Sequence, residues 1–223
     1  MDANFIARME QILSLYALDY DAQYPVICFD ERPCFLIGDS VAGLEMKAGQ
    51  VARQHYAYEK NGSCALLMAL EPKTGKRLAQ VHAQRTKRAY APFMKELAAR
   101  YPKAKKIRVI QDNLNAHSTS SFYETFSAEE AFALSQRFEF FYTPKSASWL
   151  NMIEIEFSAL AKQCLSRRMA TRELLTQEVM AIVKEREEEA IKIEWQFAIE
   201  SARSKLNRHY QQVNSDNAKY QQT

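Results

Sequence analysis

The sequence predicts an α/β protein built on a mixed five-stranded sheet flanked by helices, and three observations carry that expectation. Short apolar runs of strand type recur at 26–29, 63–70, 77–84, 105–110 and 138–142. Two of them are joined by the turn Glu71-Pro-Lys-Thr-Gly75, which reads as an antiparallel hairpin. The others alternate with segments whose apolar residues recur at helical spacing, as when helices cover a sheet.

The elements follow in order. Phe5, Ile6, Met9, Ile12, Leu13 and Tyr16 predict a leading helix within residues 1–20. After Pro25 the run Val26 to Phe29 predicts a first strand that ends at the acidic pair Asp30 and Glu31. Residues 39–62 have no sustained period and read as loop or irregular β structure. The hairpin strands come next, then a helix from Thr86 that stops before Pro102. A strand over 105–110 leads to Asp112. Two capping signatures, Ser121 to Glu124 and Ser127 to Glu130, introduce short helices, and Phe138 to Tyr142 forms the fifth strand. One long helix is expected from Ser148, with Leu150, Ile153, Phe157, Leu160, Ala161, Cys164 and Leu165 on one face. Another follows Thr171 as N-cap, a last one covers about 200–210, and residues 211–223 read as a flexible tail.

Composition narrows the function classes. A chain of 223 residues that is 47% hydrophobic is long enough for one sizeable core. Its longest apolar runs fall far short of a membrane span, so no membrane role is expected and the reading is cytoplasmic. Cys28, Cys34, Cys64 and Cys164 form no C-x-x-C pair and suggest neither a disulfide framework nor a zinc site. With 30 basic and 27 acidic residues the net charge is only +3, but basic residues cluster at Arg85, Lys87 and Arg88, at Lys103, Lys105 and Lys106, and at Arg167, Arg168 and Arg172. Such clusters suit a polyanion, and they equally suit solvated faces.

Three carboxylates carry the chemistry. Asp30 and Asp112 are expected to project from strand ends into one crevice, where open α/β sheets place their sites. Glu154 falls at the flank of the long helix's apolar stripe and can reach the sheet edge. Glu156 falls on the other flank, about 200° away, so only one of the two glutamates can join the site, and spacing does not choose between them. Converging carboxylates repel one another unless hard cations lie between them, and magnesium is the natural occupant. On spacing alone, turn or solvated roles fit all three acids as well.

The segments ICFDE at 27–31, IQDNLNAH at 110–117 and YTPKSASWLNMIEIEFSAL at 142–160 resemble the catalytic blocks of bacterial insertion-sequence transposases of the Tc/mariner superfamily. The resemblance implies a ribonuclease H-like fold, with a DDE catalytic domain over 21–210. It also implies Asp30, Asp112 and Glu154 as the acids holding Mg2+ or Mn2+, as two ions, which selects Glu154 over Glu156. The interval from Asp112 to Glu154 is longer than is typical of that superfamily. The implied activity is metal-dependent hydrolysis and strand transfer at transposon ends, with DNA as partner, a homodimer as the working form and a nucleoid-associated location. Relatives carry an N-terminal helix-turn-helix region. The stretch before Val26 is too short for one, so the chain reads as a second reading frame, a truncated copy, or a catalytic domain that uses a separate DNA-recognition protein or domain.

Asn113, His117, Lys145 and Arg88 are candidate DNA contacts, and His117 alternatively supports a metal ligand. Trp149 reads as a packing anchor, with exposure for base stacking as the alternative. A ribonuclease H-like nuclease without transposition, and a silent DNA-binding remnant that regulates a full-length transposase, are the competing readings.

Overall fold

The computed structural model describes residues 1–41, 56–113 and 117–220, the side chains of 218–220 excepted. Helix α1 (Ala3–Ala17) begins at Asp2, whose carboxylate accepts the Phe5 backbone N–H at 2.7 Å. Strands β1 (Val26–Asp39), β2 (Tyr58–Leu70) and β3 (Arg77–His82) form an antiparallel meander. Helix α2 (Lys87–Arg100), capped by Thr86, leads to β4 (Ile107–Gln111). Short helices α3 (Ser120–Tyr123) and α4 (Ala128–Ser135) precede β5 (Phe138–Tyr142). Beyond it lie α5 (Ile153–Leu160), α6 (Arg172–Glu188), α7 (Ile199–Lys205) and α8 (Asn207–Val213).

The sheet order is β3-β2-β1-β4-β5, with β4 and β5 parallel to β1. This is the expected mixed five-stranded sheet. Alternation along the strands builds a core on each face. Ile27, Phe29, Leu67, Ile107 and Val109 pack with α2, α3 and α4. Cys28, Leu66, Met68 and Ile110 face the other way, against α1, α5, α6, α7 and α8. Helix α1 is thus part of this second layer, with Met9 and Ile12 fully buried.

Three expectations need correction, and two further segments are described in part. Strand β1 does not end at Asp30 but runs on to Asp39, because β2 pairs with it from Cys28 to Asp39, with one shift of register between Phe35 and Ile37. Its pairing with β4 is confined to Val26–Cys28, and the apolar run marks that part, not the whole strand. The long helix expected from Ser148 is instead a 3-10 turn (Ser148–Leu150), α5, and a π turn (Ala161–Leu165). The break falls at Asn151, whose backbone is extended (φ −89°, ψ 111°) and whose amide bonds neighbouring backbone instead of leaving it to the helix. Ser121 lies inside α3, which starts from Thr119, so only Ser127 caps as expected, accepting the Glu130 N–H at 3.3 Å. In the segment expected to be a flexible tail, α8 reaches Val213 and a 3-10 turn covers Ser215–Tyr220. Within the region expected to be irregular, β2 begins at Tyr58, while 42–55 lie outside the described residues.

Candidate active site

The sheet brings the first two acids together by register. Cys28 pairs with Ile110 at the end of the parallel β1–β4 ladder, and Asp30 and Asp112 each stand two positions beyond that last pair. Both share the face of Cys28 and Ile110, which is the face α5 covers. Because β4 ends at Gln111, the sheet splits there and leaves the two carboxylates at an opening.

Glu154 is delivered to the same opening by the start of α5, where it occupies the first turn. That start is pinned to β1. The Asn151 side-chain amide donates to the Phe29 carbonyl at 2.8 Å, one residue before Asp30, and its oxygen accepts the Ile153 N–H at 3.4 Å. The Tyr16 hydroxyl donates to the Leu150 carbonyl at 2.7 Å and accepts the Met152 N–H at 3.4 Å. Tyr16 and Asn151 thereby fix the turn from which Glu154 projects. Sequence reasoning did not single them out for this, although Asn151 stands inside the segment that carries the resemblance.

Charge repulsion registers the convergence. Burial raises the Asp30 carboxyl to about 7, and the charges of Asp112 and Glu154 push the same way, against the Glu31 N–H that Asp30 accepts at 2.7 Å. The charges of Asp112 and Glu154 act on Asp30, but among the described residues no three His, Cys, Asp or Glu side chains form a ready metal-binding group. The hard oxygen donors of the three acids and their mutual repulsion nonetheless fit magnesium or manganese, which would relieve both the burial cost and the repulsion at Asp30.

Glu156 is engaged elsewhere. It is fully buried between Arg77 and Arg186, whose Nε atoms each lie 2.8 Å from Oε1. Burial alone would raise its pKa, but the two guanidinium groups hold the carboxyl below the ordinary glutamate value. This ion-pair network ties α5 to β3 and α6.

The remaining predicted residues separate. His117 is fully buried, with Nδ1 2.5 Å from Asp112 Oδ1 and Nε2 2.8 Å from Glu31 Oε1. Enclosed in this way it offers no nitrogen to a phosphate, which corrects its expected DNA contact. Burial disfavours its charged form, but the bonds to Asp112 and Glu31 prevail and raise it to about 9, so that both ring nitrogens donate near neutral pH. Asn113, Lys145 and Trp149 line an open cleft of about 1230 Å3 that begins at Asp112 and also takes in Phe5 and Arg8 of α1. Asn113 and Lys145 are exposed. Trp149 packs edge-on against Phe197 at 5.6 Å yet keeps 43% of its surface exposed. Arg88 is exposed on the first turn of α2 and does not line this cleft. Arg8 was missed because a lone arginine on an amphipathic helix gives no sequence signal.

A split mixed sheet with two acids at the split and a third on the covering helix defines an α/β domain of ribonuclease H-like fold with an acidic centre. Residues 25–176 match the family described as DDE superfamily endonuclease, and the chain belongs to that family. No curated protein matches it. Among solved structures it resembles the Mos1 strand transfer complex (TM-score 0.57, 13% identity, 97% of this chain and 62% of that one). It also resembles a pre-cleavage Mos1 transpososome (0.56, 12%, 100% and 65%) and the Mos1 mariner paired end complex with Mn (0.54, 13%, 99% and 65%). At such identities the likeness shows the fold, and this chain spans less than two thirds of the Mos1 chains.

Proposed function

We propose that the chain is the catalytic domain of a Tc/mariner-type transposase, with Asp30, Asp112 and Glu154 holding two Mg2+ or Mn2+ ions that serve phosphodiester cleavage and strand transfer. The observation that carries this reading is the delivery of one carboxylate each from β1, the end of β4 and the first turn of α5 to a single face of the sheet split. Bound there, paired divalent ions would activate a water or 3′-hydroxyl and stabilise the leaving oxygen. The protein's own contribution is placement. Asp30 and Asp112 follow the last pair of the β1–β4 ladder, Asn151 and Tyr16 hold the start of α5, and the cleft beyond Asp112 offers Lys145, Asn113 and Arg8 to a DNA backbone.

DNA as partner, with transposon ends and target as its two substrates, rests on this cleft and on the Mos1 likeness, because those relatives are a strand transfer complex, a transpososome and a paired end complex with Mn. A homodimer, a separate DNA-recognition protein or domain, and a nucleoid-associated location belong to the same proposal, as does the division into a leading helix (1–20), a catalytic domain (21–210) and a tail (211–223). Among the described residues no helix is long and apolar enough to cross a membrane.

The test is Mg2+- or Mn2+-dependent nicking of a labelled duplex, with joining of a 3′-hydroxyl end scored in the same reaction. Cutting and joining by the wild type, both lost in Asp30→Asn, Asp112→Asn and Glu154→Gln, are the expected outcome. Cutting without joining would leave a nuclease. Metal-independent DNA binding with neither activity, unchanged in Asp112→Asn, would leave a silent regulator.

A further inference from the structure

Asp112 lies one residue past β4, where the last ladder pair is Gln111 with Tyr142 and no strand neighbour fixes its side chain. A carboxylate in that position is free to rotate unless something beyond the sheet holds it. His117 is placed to do so, with Nδ1 2.5 Å from Oδ1 of Asp112. The imidazole is itself fixed from every side. It stacks on Tyr90 with ring centroids 5.0 Å apart, and it meets Phe29 edge-on at 5.2 Å. The His117 backbone carbonyl accepts the Gln111 side-chain amide at 2.7 Å, and Gln111 in turn accepts the Tyr90 hydroxyl at 2.9 Å.

The far nitrogen reaches Glu31, which follows Asp30 and therefore points to the opposite face of β1. Glu31 is buried, and Arg85 Nε lies 2.6 Å from its Oε2. A continuous polar chain thus runs from Arg85 at the surface through Glu31 and His117 to Asp112. A ring kept only for packing against Tyr90 and Phe29 needs no carboxylate at either nitrogen, and burying Glu31 beside it would be costly.

We propose, on the reading of Asp112 as a metal ligand given above, that His117 and Glu31 are positioning residues that clamp one Asp112 oxygen and leave the other for the divalent ion. Outer partners of this kind orient a ligand, and their loss typically weakens metal affinity roughly 10- to 100-fold.

The experiment is Mn2+ titration of the full chain, followed by the electron paramagnetic resonance of free Mn2+, for the wild type, Asp112→Asn, His117→Phe, His117→Asn and Glu31→Gln, with a thermal melt of each. His117→Phe keeps a ring in the stack but no donor, whereas the amide nitrogen introduced by His117→Asn occupies nearly the place of Nδ1. We expect Asp112→Asn, His117→Phe and Glu31→Gln to bind Mn2+ roughly 10- to 100-fold more weakly, and His117→Asn to recover most of the loss. Wild-type affinity in His117→Phe or in Glu31→Gln, with Asp112→Asn impaired, overturns the clamp and leaves the metal reading standing. Equal weakness of His117→Asn and His117→Phe likewise overturns it, because the hydrogen bond would then not be what matters. Wild-type affinity in Asp112→Asn removes the metal reading and the clamp with it. Should His117→Phe fail to fold, Glu31→Gln decides alone.

Discussion

Replacing Glu156 by glutamine should damage the fold and spare the chemistry, whereas Glu154→Gln should do the reverse. Glu156 has no exposed surface, and its two oxygens receive Arg77 Nε and Nη2 at 2.8 and 3.1 Å and Arg186 Nε and Nη2 at 2.8 and 3.0 Å. Removing the charge leaves a fully buried Arg77 and a nearly buried Arg186 facing one another without a counter-ion. Breaking a buried pair from one side costs about 3–5 kcal/mol. Glutamine keeps one acceptor oxygen, and Arg77 keeps the Ile191 carbonyl at 2.8 Å, so the lower end applies. At roughly 2–4 °C per kcal/mol for a chain of this size, the melting temperature should fall by about 6–12 °C. Glu154→Gln removes one of three repelling carboxylates and should change stability by no more than about 0.5 kcal/mol. The sign with pH follows from the lowered carboxyl. Glu156 contributes its stability above the ordinary glutamate value of 4.5 and loses it as pH falls through the lower folded value. Thermal melts from pH 3 to 8 should therefore show the Glu156→Gln deficit in full at neutral pH and shrinking below about 4.5. A Glu156→Gln protein that melts like the wild type but no longer nicks DNA would refute both the structural role of Glu156 and the choice of Glu154.

Two further outcomes can be checked. Gly75 has φ +81°, and an added Cβ would stand 2.9 Å from both the Ala190 carbonyl carbon and the Ile191 oxygen, so Gly75→Ala should cost about 1–3 kcal/mol in urea titration; a midpoint equal to wild type would show that the 190–191 segment does not press on the hairpin turn. Lys145→Ala should weaken binding to duplexes of unrelated sequence alike and reduce the slope of log affinity against log salt by about 1, with Mn2+ affinity unchanged; an unaltered salt slope would remove Lys145 from the DNA path.

The sheet was legible because its signals are local. Each strand contains a short apolar run, and the 71–75 turn announces the hairpin. The placing of Asp30 and Asp112 just beyond the parallel β1–β4 pairing follows the same local signal, since each stands shortly after a buried apolar run. What the sequence hid are features set by pairing and by distant partners. Strand β1 continues past Asp30 because β2 accompanies it, and an apolar pattern records burial, not pairing. The break before α5 depends on Asn151 bonding a carbonyl 122 positions away, which no window of sequence contains.

The dipeptide Asp30-Glu31 shows how one local pattern can carry two separate parts of a site. Successive residues of a strand face opposite ways, so Asp30 goes to the α5 face with Glu154 while Glu31 goes to the α2 face with Arg85 and His117. His117 reaches around the end of β4 to rejoin the two faces at Asp112, which is possible only because β4 stops at Gln111. The strand end that would open Asp112 to an ion is therefore the same feature that would leave it in need of a clamp. An acid pair just past β1's pairing with β4 and a histidine five residues after the second aspartate then belong to one structural requirement.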